Sequence, residues 1–450
     1  MNKKPNKKSR LIAKTGLILA LATFGVFLAS IQAAEVDPFA LYLDGKAPEI
    51  LREIPNTQPV PVSVTLRQVV FRSRDDSEIY AVIATPKTPG KHPGLLVLHG
   101  GGGCAEVDKA LAWAQRGYVA VAPDLPGIAD PKKMTVSKGK WRGWKYGEQR
   151  FVANPDASAS VLFDAVLSAM KSLYLLRAQS DVDLANVGVV GISWGGYMTT
   201  MVCGLAGEKV KAGFAIYGCG FFDKGGYADT LFEKLPAEEK ARWLAQLDAG
   251  RRAPQMKAAY FLAAASDDFF GWIRAAQATL DAIPGEKNHA IAPNANHKSP
   301  YHGGSTYDVN PPKNFTPTPF QPMPTAAGNH SNWLAMEVPY FEYYLKGLGK
   351  PFPKVLVAPG ADLHTARFSI NAPCPITKAE VYWAPATPAV MKKDDEIKRV
   401  WTAVSAAKNG EAYEANLPAE AYEWFALVSD DRPVTVSSDL TSVAPGRSGN

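Results

Sequence analysis

The 450-residue sequence predicts an α/β fold, a doubly wound and mostly parallel sheet, followed by a small all-β sandwich. Three observations carry that reading. Compact apolar runs ending in glycine, such as "HPGLLVLHGGGG", recur along the chain and suit parallel strands buried on both faces. Stretches with helical spacing separate those runs, and strand–helix alternation implies a parallel sheet covered by helices. Past about residue 350 the runs become short, β-branched and aromatic, with turns between them. The composition, 46% hydrophobic, leaves room for a large core.

Taken in order, the first segment stands apart. "MNKKPNKKSRLIAK" carries six basic and no acidic side chains, and residues 15–30 form an apolar run of 16. "IQAAE" follows, with small residues for cleavage after Ala33 or Ala34. Residues 1–33 are therefore expected to be a signal peptide cleaved near Ala33, giving a periplasmic or secreted protein with no stable membrane insertion afterwards. The apolar run is short for a bilayer-spanning anchor. Without those six residues, the 49 basic side chains fall to 43, matching the 43 acidic ones. The basic balance thus belongs to the leader and gives no argument for a nucleic-acid partner.

Residues 34–348 are expected to form the α/β domain. Strands are expected at 64–71 and 79–85 around the turn "RSRDDS", then at "HPGLLVL" and "YVAVAP" on either side of the helix "DKALAWAQRG". Residues 156–177 carry a helical apolar stripe. "NVGVVGIS", "KAGFAIYG", "KAAYFLAAA" and "KNHAIAPN" continue as strands, with helices at "GGYMTTMVCGLAG", 236–249, 270–282 and 331–346. Two long stretches, 130–155 and 298–329, lack periodicity and read as functional lids or disordered segments. Residues 349–450 form the expected sandwich domain, with strands at "RFSINAP", "KAEVYWAP", "KRVWTAV", "AYEWFALVSDD" and "VTVSSDL".

Chemistry concentrates at strand ends. "VVGISWGGYM", residues 189–198, sets Ser193 between Gly191 and Gly195, after a buried-type strand and before a helix. G-x-S-x-G alone is weak, but that strand–turn–helix setting is the one a nucleophile elbow needs. The helix start also points backbone amides at a developing oxyanion. "LHGGGGC" supplies further bare amides. Gly101, or failing it Gly102, is the expected loop donor beside the amide of Trp194. The loop lacks the spacing of a phosphate-binding motif. His99 is expected to brace the loop, and Asp124 to cap a strand end.

A serine nucleophile needs a base, and the base an orienting acid; in this setting they follow in the order Ser, Asp, His. "FLAAASDDFFG" offers Asp267 and Asp268 past one strand, and "AIAPNANHKSP" offers His297 past the next. His330 and His302 are rival bases. His289 falls inside a strand and should point into core or solvent.

With "LLVLHGGGG", "WAQRGYVAVAPDLPG", "VGVVGISWGGYMT", "AAASDDFFGWIRA", "PNANH" and "YYLKGLGKPFP" in that order, the chain over about residues 60–350 resembles the α/β-hydrolase superfamily. Within it, the chain is similar to the acetyl xylan esterase, dienelactone hydrolase and prolyl-oligopeptidase-like branches. The resemblance implies the α/β-hydrolase fold and a Ser193–Asp268–His297 triad, choosing Asp268 over Asp267 by the register "SDDFF". It departs from the dienelactone hydrolases in carrying Ser where they have Cys. It departs from the prolyl oligopeptidases in lacking a propeller before the catalytic domain. The insertion after His297 keeps His330 open.

The function these readings imply is an exported serine esterase acting on small-molecule or saccharide esters, such as acetylated xylan, with no metal or organic cofactor. A peptidase of the prolyl-oligopeptidase type and an inactive hydrolase-fold binding module are the alternatives. Trp141 and Trp144, interleaved with Arg142 and Lys145, could stack on sugar rings or simply anchor their loop. Trp383, Trp401 and Trp424 could bind carbohydrate or fill the sandwich core. Cys104, Cys203, Cys219 and Cys374 could form one or two disulfides or remain thiols, and their spacing is no metal motif. Nothing in the sequence indicates an oligomeric state.

Overall fold

The computed structural model describes residues 37–143, 150–224, 234–268, 270, 272–295, 297, 320–325, 328–360, 364–385 and 399–442. The expected leader, Trp144 and His302 lie outside the described residues. Two compact units divide the chain, residues 1–42 and 43–450. The described part of the first contains a 3₁₀ turn at Ala40–Tyr42.

A nine-stranded sheet organises the second unit. Its strands are β1 (Ile50–Ile54), β2 (Val64–Arg72), β3 (Glu78–Pro86), β4 (His92–Leu98), β5 (Val119–Pro123), β6 (Val182–Ile192), β7 (Ala212–Ile216), β8 (Ala259–Ala265) and β9 (Lys287–Ala292). They lie in the order β1-β2-β3-β5-β4-β6-β7-β8-β9. β1, β2 and β3 pair antiparallel, as do β3 and β5, and every pair from β5 through β9 is parallel. The apolar runs explain this: β5, β7 and β8 are buried at every position, as strands covered on both faces must be.

Helices α1 (Val107–Gln115), α2 (Val161–Arg177), α3 (Trp194–Ala206), α4 (Ala237–Leu247) and α5 (Ile273–Ala282) fill the connections. α2 starts at Val161 rather than at 156. The Asp156 carboxylate accepts the Ser158 amide and winds residues 157–159 into a 3₁₀ turn, and Ser160 then caps the helix by accepting the Leu162 amide.

Residues 331–346 are not one helix. Their first four residues belong to β11 (Gly328–Leu334), paired antiparallel with β10 (Pro322–Thr325), and α6 is confined to Glu337–Phe341. The Glu337 carboxylate accepts the Leu334 amide, closing the strand and opening the helix at one point.

Two antiparallel sheets follow. One orders β12 (Lys354–Val357), β13 (Thr365–Asn371), β17 (Ala412–Asn416) and β16 (Ala407–Asn409) as β12-β13-β17-β16. The other orders β15 (Thr402–Ser405), β14 (Ile376–Pro385), β18 (Ala421–Asp430) and β19 (Thr435–Ser437) as β15-β14-β18-β19, with β20 (Thr441–Ser442) on β18. Trp401 and Trp424 are buried and Trp383 half-buried, so the first two fill the interior and present no exposed face to a sugar.

Candidate active site

Ser193 sits on the turn between β6 and α3 with φ 56° and ψ −121°, a left-handed backbone that a non-glycine residue adopts only under constraint. The neighbouring glycines make the turn possible. A Cβ on Gly191 would collide with the Gly195 carbonyl, and one on Gly195 with the Leu98 carbonyl. The Ser193 amide donates to the Ile216 carbonyl at 2.7 Å, which pins the turn to the end of β7.

The structure brings Ser193, His297 and Asp268 into one chain of contacts. Ser193 Oγ lies 2.7 Å from His297 Nε2, and His297 Nδ1 lies 2.9 and 3.0 Å from the two Asp268 oxygens. Asp268 is buried and its Oδ1 also accepts the Phe270 amide. Asp267 turns aside and accepts the Ser266 hydroxyl. The three residues follow β6, β8 and β9, at the C-terminal ends where open α/β sheets build their sites. His330 lies in β11, opposite Met323. His289 is buried in β9 and its Nε2 meets the Ser438 carbonyl at 3.0 Å.

Aromatic rings hold the imidazole and the elbow. Phe270 and Tyr217 lie 5.1 and 5.2 Å from the His297 ring, and Phe270 lies edge-on to Trp194 at 4.9 Å. Arg150 stands 4.9 Å from the Trp194 ring while two of its guanidinium nitrogens donate to the Gly127 carbonyl. The far end of the aperiodic 130–155 stretch therefore packs under the elbow.

The glycine loop after β4 lies against the serine. A Cβ on Gly100 would come 3.3 Å from Ser193 Cβ, a contact the sequence reading missed because four consecutive glycines look alike. The Gly102 amide donates to the Ile128 carbonyl and the Gly103 amide to the Gly100 carbonyl, so Gly102 is excluded as an oxyanion donor. Gly101 keeps an amide that meets no acceptor among the described residues, and Trp194 is the first residue of α3, where backbone amides point outward from the helix start. His99 braces this loop. Its Nδ1 donates to the Gly100 carbonyl, its Nε2 accepts the Leu125 amide, and burial pushes its pKa down to about 4. Asp124 accepts the Ala105 amide and the Ser137 hydroxyl, a structural role.

Trp141 does not face the site. It is 2% exposed and covers Gly139, where an added Cβ would collide with its indole, so its rings cannot stack on a sugar. All four cysteines are free thiols, two of them, Cys203 and Cys219, buried. Among the described residues no group of three or more His, Cys, Asp or Glu could hold a metal ion, and no helix is long and apolar enough to cross a membrane.

The sheet order and the elbow between β6 and α3 agree with a sequence match: residues 79–271 match the family model of the dienelactone hydrolase family. The chain has the α/β-hydrolase fold. Among solved structures, the chain is similar to an acetyl xylan esterase from Paenibacillus sp. R4, at 19% identity over 58% of this chain and 86% of that one, with a TM-score of 0.49. Acetyl xylan esterase 1 from Thermoanaerobacterium sp. JW/SL YS485 aligns at 20% identity over 57% of this chain and 86% of its own, with a TM-score of 0.48. Dipeptidyl peptidase 4 from Porphyromonas gingivalis aligns at 20% identity over 53% of this chain and 33% of its own, with a TM-score of 0.41.

Proposed function

We propose that the hydrolase cleaves carboxylic esters of small molecules through an acyl-enzyme on Ser193. The observation that carries this reading is the Ser193–His297–Asp268 contact chain, with Oγ 2.7 Å from Nε2 at a strained elbow. Ser193 Oγ attacks the ester carbonyl carbon while His297 Nε2 takes its proton. Asp268, accepting from Nδ1–H, fixes the tautomer and stabilises the imidazolium. The amides of Gly101 and Trp194 donate to the oxyanion. Collapse of the tetrahedral intermediate breaks the ester C–O bond, and His297 returns the proton to the leaving alcohol. A water then attacks the acyl carbon with the same base, releasing the acid and regenerating Ser193.

An ester is favoured over an amide by the family match, whose name denotes cyclic esters. The buried position of Trp141 removes one reason for a saccharide, so the alcohol moiety is left as a variable in the test. The basic and apolar residues 1–33 support export, and N-terminal sequencing of the protein recovered outside the cytoplasm should begin near residue 34.

The test compares turnover of p-nitrophenyl acetate and butyrate, acetylated xylan oligosaccharides and aminoacyl-p-nitroanilides. Turnover of the nitrophenyl esters with little on the anilides is the expected result. Anilide turnover without ester turnover would replace the esterase by a peptidase, and inactivity on all would point to a binding module.

A further inference from the structure

The C-terminal sheets grip the two loops that bear the base and the acid. We propose that this grip sets the position of His297, with Asn294 as its positioning residue; the inference rests on reading His297 as the general base.

Ser193 lies mid-sheet, with strands on both sides. The base loop does not, because β9 is the last strand of its sheet and has a neighbour only in β8. The far side is supplied by residues roughly a hundred positions later. β19 packs beside β9, where the Ile291 amide donates to Ser437 Oγ and His289 meets the Ser438 carbonyl. Three residues before His297, Asn294 clamps the backbone of Trp401 from both sides. Its Nδ2 donates to the Trp401 carbonyl and its Oδ1 accepts the Trp401 amide, each at 2.8 Å. Asn294 is 5% exposed and adopts φ 53°, a left-handed backbone that Asn tolerates better than most residues. It thus turns the loop and bonds it to the C-terminal region at a single point.

The clamp continues into the acid loop. The Asn294 amide donates to Ser266 Oγ at 2.8 Å, and that hydroxyl donates to Asp267 at 2.7 Å, one residue before Asp268. The Asp267 amide donates to the Ala295 carbonyl at 2.9 Å. A second tie holds the helix that follows. Arg274, in the first turn of α5, donates to both oxygens of the Glu423 carboxylate at 3.0 Å, and Arg399 donates to the same 1% exposed carboxylate at 2.7 Å. Base and acid are therefore registered against one body, and a catalytic group displaced by about 1 Å loses on the order of 10²-fold in rate.

The direct test replaces Asn294 by Gly, which keeps the left-handed backbone available and deletes both clamp bonds. In the full-length protein, kcat on a p-nitrophenyl ester and the rate of Ser193 phosphonylation by a fluorophosphonate should fall about 10- to 100-fold, with KM within about 2-fold. Asn294→Asp keeps the acceptor for the Trp401 amide but sets a carboxylate against its carbonyl. It should lose rate in the same direction, and it decides the matter if the glycine variant does not fold. A folded variant with wild-type kcat, or one whose only change is a lower melting temperature, overturns the proposal. Failure of the esterase reading is a separate outcome, since wild-type Ser193 would then not be phosphonylated at all.

Discussion

Lys109 Nζ and Glu337 Oε2 meet at 2.5 Å with both side chains fully buried. The ammonium lies over the Trp333 ring, and burial holds its pKa down to about 8. The pair ties α1, which begins just past the glycine loop, to α6, which begins just past the β10–β11 hairpin. Removing one partner strands a buried charge, so Lys109→Met should cost about 3–5 kcal/mol in urea unfolding. The double variant Lys109→Met with Glu337→Leu should cost less than the two single losses added together. Additive losses would show that the pair is not coupled.

Neutral His99 makes the glycine loop acid-sensitive. The unfolded chain protonates this imidazole near its ordinary value of 6.5, whereas the folded chain resists until about 4. The stability due to neutral His99 is thus complete above pH 6.5 and is lost as pH falls toward 4. The difference corresponds to about 3 kcal/mol. His99→Gln should show a shallower loss of stability across that window in unfolding titrations. An identical slope would mean that His99 does not remain neutral in the fold.

The cysteines bear on stability in a way the export expectation alone would not suggest. All four are thiols, so reductant should leave the melting temperature unchanged. In native protein, Cys104 and Cys374 are partly exposed and should be the sites modified by a maleimide, while Cys203 and Cys219 stay protected until unfolding. Cys104 should react slowly at neutral pH, because burial first and then the nearby Asp124 push its thiol pKa up. A reductant-sensitive melting temperature would contradict the free-thiol state.

The strand order was legible because β5, β7 and β8 are apolar runs buried at every position and β4, β6 and β9 end in such runs, and burial of that kind writes itself into local composition. Strand ends and a chain order narrowed the candidates to Ser193, the Asp267–Asp268 pair and His297 with its rivals, and the choice of Asp268 came from the family resemblance. The hairpin at 322–334 was hidden because Pro322 and Pro324 argue against a strand when read one residue at a time. The role of Trp141 stayed open in the sequence because an aromatic beside basic residues reads the same whether it faces solvent or covers Gly139. The Asn294–Trp401 clamp had no local signature: its partners are 107 residues apart and one of them contributes only backbone.

The sharpest measurement is intact-mass and peptide-level detection of phosphonylation after a fluorophosphonate is added to the full-length protein. One adduct should form, on the peptide holding Ser193, and Ser193→Ala should abolish it. His297→Ala should slow it by about 10³-fold or more, while His330→Ala leaves it near the wild-type rate. No adduct on Ser193 in folded wild-type protein, or a collapse caused by His330→Ala with His297→Ala unaffected, would contradict the assignment of Ser193 and His297 as nucleophile and base.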